Sequence, residues 1–316
     1  MTDPVAMGAR ALMAGGLVAF PTETVYGLGG NALDPVAVSR IFAAKGRPTD
    51  HPLICHIASA DDLAPLVAEV TPLARALADA FWPGPLTLVM PRSRAVPDAV
   101  TGGRDTVAVR VPDHPLALEL LRAFGGPVAA PSANRFGRPS PTRAGDVRDE
   151  LGDTVDVILD GGPCAIGVES TVLDLASDPP QVLRPGGISV EQIEAVIGPV
   201  AAASGPARAP GMLESHYAPG ARVEVLDAEA LPARADELAG AGEHIAVLAP
   251  GAISPLPDSA LVLGPAGAPD AYAALLYAAF RRADAEGCAV ILAVPPAAEG
   301  IGVAVRDRLA RAAAGS

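Results

Sequence analysis

The chain has 316 residues, half of them hydrophobic, with 23 Lys and Arg against 36 Asp and Glu for a formal charge of −13. That length suits two domains and the apolar share excludes disorder, while the acidic balance excludes a protein that grips nucleic acid with its whole surface, which needs a basic face. No apolar run approaches the roughly 20 residues of a membrane span, the N-terminus lacks a basic region followed by an apolar core, and Cys55, Cys164 and Cys288 lie too far apart for a metal pair or a disulfide framework, so the reading is a soluble cytoplasmic protein with reduced cysteines.

A helical pattern over 4–14 leads into the apolar, strand-like run Leu17–Phe20. Pro21-Thr22-Glu23-Thr24 leaves that strand and enters a turn punctuated by Gly27, Gly29 and Gly30. This puts hydroxyls, a carboxylate and the Tyr26 phenol at a strand's carboxyl end, where open α/β sheets bind ligands. A helix over 35–44 then delivers Lys45 and Arg47, and Pro48 ends it. Lys45 is the only lysine among the 23 cations. In so arginine-rich a chain, one retained lysine points to work suited to a compact ammonium, such as reaching phosphate oxygens; the plainer reading is a surface lysine at a helix end.

Strand-like runs continue at Leu53–Ile57, Leu86–Met90, Thr106–Val111, Val128–Ala130, Val155–Leu159, Val172–Leu175 and Gln181–Leu183, with helical patterns over 71–81, 114–124, 143–151 and 189–197. Strand signals follow one another without helices towards the end, so the expected sheet is mixed. Arg110 lies inside an apolar strand and needs a partner there, for which a bidentate carboxylate is the natural choice. His56, also in an apolar strand, is open between a satisfied core residue and a ligand contact. Ala130-Pro131-Ser132-Ala133-Asn134 and Ser140-Pro141-Thr142 set small hydroxyl and amide groups on proline-stiffened loops, although such residues are also ordinary turn formers. Glu169-Ser170-Thr171 and Arg184-Pro185-Gly186-Gly187 add two hydroxyls and a cation. Cations gathered in these stretches suggest a local cationic pocket, suited to a small anionic ligand, within an acidic body.

Residues 198–220 are rich in Pro, Gly, Ala and Ser and read as a linker, yet they hold the bulky Met212, Leu213, His216 and Tyr217, which a mere tether does not need. Beyond it, Arg222–Leu226, His244–Leu248, Ala260–Leu263 and Cys288–Val294 interleave with helical patterns over 228–240, 269–286 and 300–314, the spacing of a small doubly wound parallel sheet without the glycine fingerprint of a dinucleotide site. The sequence holds no Gly-x-x-x-x-Gly-Lys phosphate loop, no Gly-x-Ser-x-Gly elbow and no paired His or Cys for zinc.

The blocks Pro21-Thr-Glu-Thr-Val-Tyr-Gly-Leu-Gly, Lys45-Gly-Arg-Pro, His51-Pro-Leu-Ile, Pro131-Ser-Ala-Asn, Ser140-Pro-Thr, Glu169-Ser-Thr-Val and Leu183-Arg-Pro-Gly occur in that order, followed by His216-Tyr-Ala-Pro. In this the chain resembles the threonylcarbamoyl-AMP synthase family in its long form. The resemblance implies an α/β YrdC-like catalytic domain over 1–200 with a mixed twisted sheet, a linker over 201–220 covering the active site, and a small Rossmann-like domain over 221–316. It implies condensation of L-threonine, bicarbonate and ATP to threonylcarbamoyl-AMP and pyrophosphate, with Mg²⁺ accompanying ATP and no organic cofactor. A downstream tRNA threonylcarbamoyl transferase would use the product, and a weak direct contact with tRNA stays open.

Carried onto this sequence, Lys45 and Arg47 are the implied catalytic cations. They join His51, Thr106, Ser132, Asn134, Ser140, Arg184 and Tyr217 around ATP, while Thr22, Tyr26, His56, Arg110, Ala130 and Ser170 surround threonine. No protein metal ligands are implied. His51 stands where many relatives have asparagine, and Glu214-Ser215 departs from a more basic linker. The alternative from another class is an RNA-binding module without catalysis, against which the acidic balance counts.

Overall fold

The computed structural model describes residues 3–204 and 217–315. They fall into two units, one of 3–136, 141–165 and 169–204, the other of 137–140, 166–168 and 217–315. In the first unit the order is α1 (Pro4–Met13), β1 (Val18–Phe20), β2 (Gly27–Asn31), α2 (Pro35–Lys45), β3 (Ile54–His56), α3 (Pro72–Phe81), β4 (Leu86–Pro91), α4 (Asp98–Thr101), β5 (Thr106–Arg110), α5 (Pro115–Phe124), β6 (Val128–Ala129), α6 (Ala144–Leu151), β7 (Val157–Ile158), β8 (Thr171–Asp174), β9 (Gln181–Arg184), α7 (Val190–Ile197) and β10 (Ala201–Ala202). Proline opens α1, α2 and α3, where its missing N–H costs nothing, and the side chains of Asp3, Asp34 and Thr71 cap the free amides that follow.

The strands make one ten-stranded sheet in the order β10-β9-β8-β4-β5-β3-β6-β2-β1-β7. It is mixed, as expected: β3 runs parallel to β5 and β4 to β8, while β4 is antiparallel to β5 and β2 to both β1 and β6. The turn expected at Gly27, Gly29 and Gly30 is instead strand β2. Its glycines are there for close approach: a Cβ on Gly29 would sit 2.7 Å from Val128 Cγ1 and 2.8 Å from Phe20 Cε1. A strand in which glycine fills most positions carries little alternation, which is why the pattern hid it.

The pleat gives the sheet two unlike faces. One carries Leu17, Cys55, Leu88, Val109 and Leu173 into the main core beneath α2 and α3. On the other, Val18, Phe20, Val128 and Ala130 are covered by α1 and α5. Farther along that second face, Ile54, Val89, Ala108, Val172 and Leu183 form a small separate apolar cluster, and the polar residues considered below share its strands.

The second unit has β11 (Arg222–Val225), α8 (Leu231–Gly240), β12 (Ile245–Leu248), β13 (Leu261–Val262), α9 (Pro269–Ala285), β14 (Val290–Ala293) and α10 (Gly302–Ala314). Its four strands are all parallel in the order β11-β14-β12-β13, the doubly wound form expected from the spacing. Leu231, Ile245, Val247 and Leu292 lie in its core. Among the described residues no helix is long and apolar enough to cross a membrane.

Candidate active site

Lys45 is the last residue of α2, and Gly46 caps that helix in the left-handed region at φ 62°, turning the chain so that the Arg47 amide returns to the Phe42 carbonyl at 3.0 Å. The turn fixes the spacing of the two cations. Lys45 is buried, and its Nζ donates to the Ser132 carbonyl at 2.6 Å and to the Asn134 carbonyl. Two carbonyls use two of the ammonium's three N–H groups, leaving one for a ligand oxygen. Burial, and then the Arg47 charge, push the Lys45 ammonium well below the usual lysine range, with Glu150 acting the other way. An anion beside it would reverse that shift. Arg47 donates to the Pro52 carbonyl at 3.2 Å, and His51, half-buried against Phe136, is pulled below the ordinary histidine range by burial and then by Arg47.

The 131–134 loop is held from three sides. Leu28 donates to the Pro131 carbonyl at 2.8 Å and Ala133 to the Tyr26 carbonyl at 2.8 Å, with Lys45 closing the third. Preceding it, the Ala130 amide bonds to the Ile54 carbonyl at 2.9 Å. The Thr22 hydroxyl organises its own turn, accepting from the Thr24 and Val25 amides and lying 2.6 Å from the Val25 carbonyl. Tyr26 is wholly buried; its hydroxyl donates to the Gly162 carbonyl and accepts from the Gly161 amide, and burial lifts its pKa to about 12. That phenol therefore braces the 161–162 turn, and its ring lies in the main core.

Pairing across the sheet brings the remaining residues into one row. His56 on β3 pairs with Arg110 on β5; one register step beyond Val109–Leu88 stands Thr87 on β4, which pairs with Val172 on β8, which pairs with Arg184 on β9. Ser170 joins the row through side chains: its hydroxyl lies 2.8 Å from that of Thr87 and accepts from Arg184 Nη2 at 3.2 Å, while Arg184 Nε and Nη2 both reach the Ser170 carbonyl. Thr106 starts β5 on the same face as Arg110.

Arg110 donates through Nε to the Gly84 carbonyl at 3.1 Å and through Nη2 to the Thr24 hydroxyl at 3.0 Å, and Nη2 lies 2.7 Å from a Glu23 carboxylate oxygen. The carboxylate that a strand arginine requires is thus supplied within the chain, by the same motif that holds Tyr26. Glu23 and Thr24 were read at a ligand-binding strand end without an assigned role, and Thr87 was missing from the expected site; the need of Arg110 for a carboxylate was the available signal for the role of Glu23. For Thr87, inside a plain apolar strand, there was none.

His56 stands edge-on to Phe20 at 5.8 Å, and its Nδ1 is buried without a hydrogen bond. Burial, then the Arg110 charge, drop its pKa to about 3, so it is a neutral imidazole in the fold. A folded pKa below the unfolded value of about 6.5 means that the unfolded chain binds the extra proton first. The stabilisation is complete above pH 6.5 and is lost as pH falls towards 3, by up to about 1.4 kcal/mol per unit. Denaturant unfolding between pH 6 and 4 should therefore show a shallower loss of stability for His56→Gln than for the wild type.

Ser140 and Tyr217 belong to the second unit. Ser140 is buried; Tyr217 takes φ 65° and is buried with its ring 5.8 Å from that of Tyr277 and 5.3 Å from the Arg308 guanidinium. Of the linker calls, Met212, Leu213, Glu214, Ser215 and His216 lie outside the described residues. A cavity of about 500 Å³ in the first unit, lined by Leu33, Ile57, Leu66, Leu121 and Pro127, includes none of the expected site residues.

Residues 10–186 match the Sua5_yciO_yrdC family model, described as telomere recombination, and residues 188–314 match the model described as threonylcarbamoyl-AMP synthase, C-terminal domain. The chain belongs to the threonylcarbamoyl-AMP synthase family. It is 46% identical to the threonylcarbamoyl-AMP synthase of Pyrococcus abyssi, covering 98% of this chain and 93% of that one, and 44% identical to the Bacillus subtilis protein of the same name, covering 99% and 94%. The fold is similar to that of P. abyssi Sua5 complexed with L-threonine, with TM-score 0.92 and 45% identity over 98% of this chain and 94% of that one.

Proposed function

We propose that this chain is an L-threonylcarbamoyladenylate synthase that condenses L-threonine, bicarbonate and ATP. The observation that carries the reading is the row His56, Arg110, Thr87, Val172, Arg184 along one face across the neighbouring strands β3, β5, β4, β8 and β9. Such a row gives two substrates a shared floor. Arg110 takes the amino-acid carboxylate, with neutral His56 and the Ser170 hydroxyl beside it. Lys45, Arg47 and Arg184 neutralise the phosphates, and Thr106, Ser132 and Asn134 hold the nucleotide.

In this reading the neutral threonine amine bonds to bicarbonate carbon while that carbon's bond to its hydroxyl oxygen breaks, and the departing hydroxide takes the proton lost from nitrogen and leaves as water, giving N-carboxythreonine. One of its new carboxylate oxygens bonds to the α-phosphorus of ATP as the bond to pyrophosphate breaks. Catalysis is then positioning and charge neutralisation. Mg²⁺ would accompany ATP and supply further neutralisation of phosphate charge; such an ion usually keeps several waters and is held through substrate phosphates. The product serves a downstream tRNA threonylcarbamoyl transferase, and the setting is the cytoplasm, where the three buried free cysteines stay reduced.

The test is incubation with labelled bicarbonate, ATP and threonine, followed by chromatography. Label in an AMP adduct only when all three are present supports the reading; label in the adduct without threonine contradicts it.

A further inference from the structure

Glu23 is 8% exposed, and neither carboxylate oxygen accepts a hydrogen bond, although one lies 2.7 Å from Arg110 Nη2. The contact is close in charge but not aligned as an N–H···O bond. A buried pair serving only the fold is expected to lock its fork onto the carboxylate, because desolvating both groups is costly otherwise. Here the Arg110 donors are directed elsewhere: Nε to the Gly84 carbonyl and Nη2 to the Thr24 hydroxyl. Its Nη1 is given no protein acceptor among the described residues. The two groups therefore present, side by side, a cation with N–H groups to give and an anion with acceptor sites unfilled. An α-amino acid zwitterion carries the complementary pair, a carboxylate and an ammonium on one carbon.

We infer that Glu23 is the counter-ion of the substrate's α-ammonium, and that Glu23 and Arg110 together select an amino acid over a molecule bearing the carboxylate alone. The inference rests on threonine being the ligand of Arg110. It adds a specificity-determining contact on the nitrogen, the atom that must meet bicarbonate. Thr24 strengthens the arrangement from below, since its hydroxyl bonds Arg110 and lies 2.8 Å from the Thr22 hydroxyl, fixing the loop that carries Glu23.

The probes are L-threonine and its deaminated analogue (2S,3R)-2,3-dihydroxybutanoate, titrated calorimetrically into the wild type and Glu23→Gln. Removing one charge of a buried pair predicts that the variant binds threonine about 30-fold or more weakly, with the analogue changed by less than about 3-fold. Equal weakening of both ligands would mean that Glu23 only holds Arg110 in place, and unchanged threonine affinity would mean no contact; either overturns the inference. If Glu23→Gln does not fold, the wild type alone decides: clear preference for threonine over the analogue supports the inference and equal affinity overturns it. A wild type that binds neither ligand overturns the threonine reading itself, and this inference with it.

Discussion

Lys45→Met is expected to cut turnover by about 10²–10³-fold, the usual loss when one preorganised donor to developing charge is removed. Two effects add. The variant loses an ammonium proton available to phosphate, and it leaves the Ser132 and Asn134 carbonyls without their buried donor. Charge-assisted bonds of that kind contribute about 1.5–3 kcal/mol each, so a stability loss of similar size accompanies the kinetic one. Lys45→Arg separates the two. It keeps the charge but replaces a point donor with a wide planar fork in a site that is 3% exposed. Turnover should again fall by at least about 10²-fold, while circular dichroism shows a folded protein. Near wild-type turnover in Lys45→Arg would reduce the lysine to a generic cation.

Arg110→Lys is expected to raise the threonine KM by about 10²-fold, in the range for losing a charge-assisted contact at a buried site. The ATP KM should move by less than about 3-fold if threonine and phosphate are held by different cations. Arg110→Met is more damaging, because it strands Glu23 as a buried unpaired carboxylate, which costs about 3–5 kcal/mol. That cost is diagnostic. Adding Glu23→Gln to Arg110→Met should recover much of the stability in a denaturant double-mutant cycle while leaving threonine binding lost. Full additivity of the two single losses would show that the 2.7 Å contact carries no coupling.

Much of the architecture was legible because apolar periodicity marks strands such as β4 and β5, and Asp-Pro or Thr-Pro pairs mark the starts of α1, α2 and α3. Strand β2 was not, since its residues Gly-Leu-Gly-Gly-Asn carry little alternation and its place is dictated by Phe20 and Val128 pressing from neighbouring strands. For the site, composition singled out Lys45, and the motifs gathered Arg47, His56, Arg110, Ser170 and Arg184. Composition could not show what Lys45 holds, because its acceptors lie 87 and 89 residues away. Nor could it show that the Tyr26 hydroxyl is engaged by Gly161 and Gly162, or that Thr87 sits between Arg110 and Ser170. Those are facts of sheet order, which puts β4 between β5 and β8 although β8 comes late in the chain.

If one sheet face holds the substrates together, threonine is required before the α-phosphorus is attacked. ATP–pyrophosphate exchange, followed with threonine and bicarbonate omitted in turn, tests it most directly. Exchange is expected only when both are present with ATP; exchange without threonine, or none under any condition, would rule out that reaction.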